Sequence, residues 1–453
     1  MRREKINTDF TTLFHEGREL LRSRSHERID RHREEAFRRF LQLGGVPDNS
    51  EEYKHADLLP VFDRDYRVTL HPPRQEVDPN TLFTCNVSEL DTHVLLTVNG
   101  WFGNKEEVLE LPGGIVICGL AVAATRYPSL LEAHYNRHVA AGERDGLVAL
   151  NTAFAQDGIF VHVPAGAVME KPLQVVNLMR GNANLMAFQR NLVIVGKGAR
   201  ATILVCDHTL SDHSFLSNSA TEMAVGDNAS LEYYHVQNQH IEASQINSLF
   251  VTQGRDARFD ANIITLYGGF IRNNLFVSLT GEGGECNLHG IYLSDKKQRV
   301  DNFTAIDHIA PRCRSHEHFK GVLDDAAVAT FTGRVTVRPN AQKTEAYQAN
   351  HNLLLTDTAR VNTRPQLVID ADDVKCSHGA TVGQLNEEAM FYLRSRGIGE
   401  AEARLMMMFG FAHEIVGRVR LVPLREQLDD LIEKRLRGEL TKCYNCVLHC
   451  KKF

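Results

Sequence analysis

The spacing of hydrophobic residues divides this chain of 453 residues into zones of different structure. The first zone, residues 1–145, mixes helices and short strands. Apolar residues in REEAFRRFLQLGGVP (33–47) recur at helical spacing until Gly44 ends the pattern. The run HVLLTV (93–98) predicts a strand, and PSLLEAHYNRHVA (128–140) predicts another helix.

The second zone, residues 146–376, has no helical period and predicts strands that alternate with Gly, Asp and Asn turns. Comparable turn-and-strand units recur around Ala199, Ala229, Ala257, Glu285, Ala327 and Ala359. The intervals between these positions are 30, 28, 28, 42 and 32 residues. A recurrent unit of this length is typical of a stacked β-solenoid. A β-sandwich is the alternative, but it predicts turns without long-range similarity, so the pattern favours the solenoid.

The third zone, residues 377–437, returns to helical spacing, and a Cys-rich tail, 438–453, follows it. Asn386 is placed to cap the first helix. A second helix carries an apolar stripe, and Pro423 is expected to end it. The stripe consists of Leu405, Met408, Phe409, Ala412, Ile415, Val416 and Val419.

Composition narrows the class of protein without defining a function. Hydrophobic residues make up 43% and charged residues 24% of the chain, and the formal net charge is −6. These values are ordinary for a globular protein and argue against nucleic-acid binding. The longest apolar run, 113–124, is too short to span a membrane, and the N-terminus has no signal-peptide core. We therefore expect a cytoplasmic protein whose nine cysteines form no disulfide framework.

The most informative segment is ADDVKCSHGATVG (371–383), in which Cys376 precedes His378 by two residues. We expect an Asp-rich strand to end at a glycine turn here. Side chains at i and i+2 of a strand share a face, so the thiol and the imidazole would project together. Zinc and iron–sulfur centres usually take four ligands, so a site built on this pair needs ligands from elsewhere, such as a partner subunit.

Two other segments have the composition of metal sites. CRSHEH (313–318) is interpreted as a strand edge, with a metal site as the less favoured alternative. In the tail, Cys443, Cys446 and Cys450 have spacing that fits zinc or a cluster. No nucleotide-binding G-x-x-x-x-G-K-[ST] loop and no hydrolase or zinc-protease motif occurs in the chain. We therefore expect a non-catalytic protein.

The segments AFRRFLQLGGVP, ALNTAFAQDGIFVHVPAGAVMEKPLQV (149–175) and NHNLLLTDTARVNTRPQLVIDADDVKCSHGATVG (350–383) resemble the SufB/SufD family of iron–sulfur cluster assembly proteins. The resemblance extends over most of the chain. It implies a right-handed parallel β-helix flanked by N-terminal and C-terminal helical regions. In FYLRSRGI, Leu393 stands where the SufB branch carries a cysteine, which is the SufD pattern.

The resemblance also implies partners and site residues. The chain would pair with a SufB-like paralogue and bind a SufC-like ABC ATPase through its C-terminal helices, where we assign partner binding to Phe409, Phe411 and Glu414. His378, with Cys376 beside it, would lie at the SufB contact and help to hold a transient iron–sulfur cluster shared with that subunit. Whether the chain is a homodimer before it meets SufB stays open.

Two functions from other classes remain as alternatives. One is a β-helical carbohydrate-active lyase or hydrolase that uses paired carboxylates such as Asp370, Asp372 and Asp373. Such enzymes are mostly exported, and we find no export signal. The other is a purely structural interaction module.

Overall fold

The computed structural model describes residues 2–23, 25–47, 50–73, 90–104, 107–142, 145–211 and 213–439. Its centre is a β-solenoid, which confirms the predicted fold class. The chain alternates between two sheets, so that each turn of the solenoid contributes one strand to each. From β6 onward every neighbouring pair of strands is parallel. Parallel ladders in both sheets exclude the β-sandwich, whose sheets are antiparallel.

Sheet 1 contains the even-numbered strands from β6 to β20, followed by β5 and β4, in the order β20-β18-β16-β14-β12-β10-β8-β6-β5-β4, with β1 paired to β8. Its members are β1 Arg67–Val68, β4 Val108–Leu111, β5 Ile115–Gly119, β6 Ile159–Val163, β8 Leu185–Val195, β10 Phe215–Val225, β12 Ala243–Gln253, β14 Phe270–Leu279, β16 Arg299–His308, β18 Val328–Val337 and β20 Arg360–Ile369.

Sheet 2 contains the odd-numbered strands from β7 to β21, followed by β2 and β3, in the order β21-β19-β17-β15-β13-β11-β9-β7-β2-β3. Its members are β2 His93–Val98, β3 Trp101–Phe102, β7 Leu173–Met179, β9 Arg200–Thr209, β11 Ser230–Asn238, β13 Arg258–Tyr267, β15 Glu285–Ser294, β17 Arg314–Leu323, β19 Glu345–Leu354 and β21 Lys375–Gly383.

The sequence repeat comes from the turns that lead into the strands. Before the sheet 2 strands, a residue with positive φ, such as Asn228 or Asp256, precedes a small buried residue, Ala229 or Ala257. Only a small side chain fits where the chain turns over the core. The irregular interval of 42 residues arises because Glu285 begins a sheet 2 strand, whereas Ala327 precedes a sheet 1 strand. That interval therefore covers one full turn of the solenoid and the passage from sheet 2 to sheet 1.

Helices cover the outer faces of both sheets. Before the solenoid lie α1 Arg2–Glu16, α2 Arg18–Ser23, α3 Glu27–Asp30, α4 Arg33–Gln42, α5 Leu59–Phe62, α6 Leu120–Arg126, α7 Pro128–His134 and α8 Gly146–Phe154. The 3-10 segments are Pro112–Gly114 and Val139–Gly142. Aromatic residues of α1, α4 and α8 pack against apolar residues of sheet 1. After the solenoid come α9 Glu387–Ser395, α10 Glu400–Val416 and α11 Val422–Leu436, and the last two pack on sheet 2.

Several predicted elements differ in their ends. The helix expected at 128–140 ends at His134, and residues 146–154 are helical rather than part of a strand. Pro423 lies in the first turn of α11, where its missing N–H costs nothing, so it begins that helix instead of only ending the previous one. No helix among the described residues is long and apolar enough to cross a membrane.

Candidate functional site

Cys376 and His378 lie on β21, the last strand of sheet 2. The prediction of a strand that ends at a glycine turn is wrong. The Asp-rich segment 370–373 forms a turn before the strand, and Gly379 lies within the strand. Cys376 packs at the end of the interior core, and burial raises the pKa of its thiol. By strand alternation His378 lies on the same face, and its ring makes no hydrogen bond, ion pair or ring contact with any described residue.

A polar row leads from His378 into the solenoid. In the register of sheet 2, His378 is paired with Gln348, and Gln348 with Glu317. Both of these inner residues are buried. Gln348 Nε2 donates to Glu317 Oε2 over 2.6 Å. Burial raises the pKa of Glu317 to about 7, although hydrogen bonds from Thr304 and Gln348 oppose the shift.

Sequence reasoning missed Gln348 and Glu317, because neither belongs to a recognisable motif. The signal that could have found them is the repeat itself. Residue 348 precedes residue 378 by one solenoid turn, and residue 317 precedes residue 348 by another. When successive solenoid repeats of the sequence are aligned with one another, residues 317, 348 and 378 fall at the same position.

The site lies at an open end of the solenoid. Among the described residues, β20 pairs only with β18 and β21 only with β19. The interior rows continue into these last strands without cover. Ile369 is 41% exposed, although Val337, its partner on β18, is fully buried. Val382 is 48% exposed, whereas its partner Asn352 on β19 is buried.

The three predicted partner-binding residues all lie on α10, and two of them contact a buried lysine of β17. The Lys320 ammonium lies 4.2 Å from the centre of the Phe411 ring and donates to the Phe411 carbonyl oxygen over 3.2 Å. It also forms an ion pair with Glu414. Phe409 is partly buried and stacks on His413. These contacts hold α10 on the solenoid.

A second exposed surface lies on α9, which buries no residue. Phe391 is 75% exposed and Tyr392 57% exposed. Asn386 caps this helix as predicted, because its side-chain oxygen accepts from the Ala389 amide over 2.9 Å. Sequence reasoning passed over the two aromatic residues. The available signal was a pair of adjacent aromatic residues, since large exposed apolar side chains mark contact surfaces.

The remaining candidates do not join the Cys376–His378 pair. The CRSHEH segment belongs to a central strand, β17, not to an edge. Cys313 is fully buried at the small-residue position of a turn, as Ala257 is two turns earlier. Cys443, Cys446 and Cys450 lie outside the described residues, so a metal site there stays a prediction. Within the described ranges, no three His, Cys, Asp or Glu side chains are grouped as a metal site.

The fold and site define a class of protein: a helix-covered parallel β-solenoid with a Cys-x-His pair at its open end. Comparison with known families gives the class its name. Residues 4–175 match the SufBD protein N-terminal region, and residues 178–411 match the SufBD core domain of SUF-system iron–sulfur cluster assembly proteins. The chain belongs to the SufBD family of this assembly system.

Curated relatives agree with this assignment. The chain is 31% identical over 292 residues to the iron–sulfur cluster assembly protein SufD of Escherichia coli, a match that covers 64% of this chain and 69% of the relative. It is 26% identical over 327 residues to SufD of Bacillus subtilis, covering 72% and 74%. A SufBD family protein of Synechocystis is 30% identical over 306 residues, covering 66% and 65%. The resemblance seen in the sequence is thereby confirmed at the level of the family.

Proposed function

We propose that this chain is a SufD-like, non-catalytic scaffold subunit for iron–sulfur cluster assembly, and that it acts together with a SufB-like subunit and a SufC-like ATPase. The observation that carries the proposal is the pair Cys376 and His378 on an uncovered end strand. The family match and the relatives named SufD support it. The nascent cluster is the product of the complex, not a resident cofactor of this chain.

His378 is proposed to supply one ligand of a cluster site that is completed by thiolates of the SufB-like subunit. One chain offers two ligands where a cluster takes four. Imidazole binds iron as a neutral ligand, and imidazole ligation raises the potential of an iron–sulfur centre relative to thiolate. Because burial raises the pKa of Cys376, its thiol holds its proton at neutral pH, which favours His378 as the ligand.

The partner is proposed to cover the open end of the solenoid. The outer edges of β20 and β21 offer N–H and C=O groups that can pair with further strands. Ile369 and Val382 offer apolar area beside them. A second solenoid of the same family fits this end, because it can extend both sheets at once.

The ATPase is proposed to bind the C-terminal helices. Phe409, Phe411 and Glu414 stay the predicted residues, and their contacts within the chain suggest that they act by positioning α10. Phe391 and Tyr392 on α9 would add exposed contact area.

The test is to replace His378 with alanine in the complete three-protein complex and to measure iron and cluster absorption per intact complex. We expect the complex to assemble and its cluster content to fall, with partial recovery in His378→Cys. Ser377→Ala is the matched control, because Ser377 is exposed on the same strand but lies on its other face. An undiminished cluster content in His378→Ala would remove this residue from the function.

A further inference from the structure

A polar cavity of about 460 Å³ lies between the outer face of sheet 2 and the loop that joins α10 to α11. Its floor includes a row of three residues that are paired directly across neighbouring strands. These are Asn262 on β13, His289 on β15 and His318 on β17. Arg418 and Arg420 of the loop complete one wall. This cavity is separate from the open end that carries His378.

Each residue of this row has a buried polar atom without a partner in the described part of the chain. Asn262 Oδ1, His289 Nδ1 and His318 Nε2 form no hydrogen bond with any described residue. Asn262 is only 3% exposed. Buried polar groups in folded proteins are almost always satisfied by protein, water or a bound molecule. Three such atoms side by side in one cavity are therefore placed to hydrogen-bond to a polar molecule inside it.

Of the three arginines that line the cavity, two are held by carboxylates and one is not. Arg258 pairs with Asp260 and Glu285, and Arg420 pairs with Glu232 and Asp260. Arg418, by contrast, forms no ion pair or side-chain hydrogen bond in the described part of the chain.

The two imidazoles are neutral at physiological pH. Burial, with a smaller contribution from the charge of Arg418, lowers the pKa of both His289 and His318 to about 4. Lys320 and Glu414, which lie beside His318, form an ion pair with no net charge. The three arginines balance the carboxylates of Glu232, Asp260 and Glu285 in number, but Arg418 is the arginine that contacts none of them, so its guanidinium is available to an anion in the cavity.

We propose that this cavity binds a small organic molecule that carries an oxyanion group, a phosphate or a carboxylate. Arg418 would donate to the oxyanion, and the unpartnered imidazole nitrogens would hydrogen-bond to it or to neighbouring groups of the ligand. Asn262 Oδ1 would accept from a hydroxyl or ammonium group of the same ligand. The volume falls in the range of small-molecule sites, so the ligand has a body beyond a single anion. This site goes beyond the scaffold function and does not depend on it.

The test is calorimetric titration of the full chain with inorganic phosphate and, separately, with citrate. We expect saturable binding of at least one probe at one site per chain. Loss of charge-assisted hydrogen bonds in Arg418→Gln should weaken binding roughly 10- to 100-fold. Because the Arg418 side chain has no partner among the described residues, this variant should keep the thermal midpoint of the wild type. Arg425→Gln, on α11 and outside the cavity, is the matched control and should bind as the wild type does.

A second variant, His289→Gln, tests the floor of the cavity and should also weaken binding. The absence of saturable binding by either probe would overturn the proposal, and so would equal affinities in Arg418→Gln and the wild type. A titration with Zn²⁺ distinguishes the remaining class of ligand. Binding of Zn²⁺ that His289→Gln abolishes, without binding of either anion, would replace the anion site with a metal site.

Discussion

Single residues of the polar row link the candidate site to the stability of the solenoid. Glu317 is buried two strands below the open end, hydrogen-bonded to Gln348 and in register with His378. Its carboxyl pKa is raised from 4.5 to about 7 in the folded chain. Between these pH values the folded state holds a proton that the unfolded chain has lost. Stability should therefore fall as pH rises from about 4.5 to 7 and stay lowered above that range.

Replacing Glu317 with glutamine should remove this loss of folding stability at high pH. The amide oxygen can still accept from Gln348, and no buried charge forms at high pH. We expect Glu317→Gln to be more stable than the wild type by about 1–3 kcal/mol at pH 8, with little difference at pH 4.5. Urea unfolding at the two pH values measures this. Glu345→Gln, at an exposed ion pair with Lys375, should show no gain at pH 8, and an equal gain there would contradict the role of burial.

For single residues, the sequence shows which side chains share a face of one strand, but it does not show which residues strand pairing brings together. Cys376 and His378 stand two residues apart, so their shared face follows from local geometry. The contact between Glu317 and Gln348 joins residues 31 positions apart, and only the register of sheet 2 brings them together. The same holds for Cys313, whose neighbours in sequence suggest a metal ligand and whose place in a turn makes it a small core residue.

At the scale of elements, two buried cations fix the C-terminal helices to sheet 2. Lys320 reaches from β17 to the Phe411 carbonyl oxygen and Glu414 of α10. Arg435 reaches from α11 into the solenoid, where it pairs with Asp295 over 2.6 Å and donates to the Leu266 carbonyl oxygen over 2.8 Å. The apolar stripe of α10 was predictable from its helical period. These polar anchors were not, since each joins a helix to a strand far away in the sequence.

Replacing Arg435 with methionine should loosen α11. The change leaves Asp295 without its cation, and breaking a largely buried pair typically costs several kcal/mol. Because the Asp295 side chain keeps 23% exposure, we expect a loss of about 2–4 kcal/mol. Denaturant unfolding measures the loss, and hydrogen exchange should show reduced protection first in 422–436.

Arg437→Met, at the residue that ends the same helix, is the control. Its ion pair with Glu433 is exposed, so the expected cost is about 0–1 kcal/mol. Equal losses in the two variants would show that Arg435 does not anchor the helix.

At the scale of the whole molecule, the repeat in the sequence predicts the solenoid, but it does not predict which end stays open. Helices cover the outer faces of the two sheets, and the N-terminal zone continues the sheets with short antiparallel strands at the other end. At the end formed by β20 and β21 the interior rows reach solvent. Terminal units of solenoid proteins normally carry a polar cap. Ile369 and Val382 are apolar instead, which is why a partner is the proposed cover.

A charge placed on this end should prevent assembly without unfolding the chain. Val382 is 48% exposed, so Val382→Asp costs little in the isolated subunit. In a complex whose partner covers the end, the same carboxylate would be buried without a cation, and binding should weaken strongly. Val168→Asp is the matched control, because Val168 is 52% exposed but lies between β6 and β7, far from β21 in strand order. Co-purification of the SufB-like subunit measures the effect. Retention of that subunit by Val382→Asp as fully as by Val168→Asp would place the partner elsewhere on the solenoid.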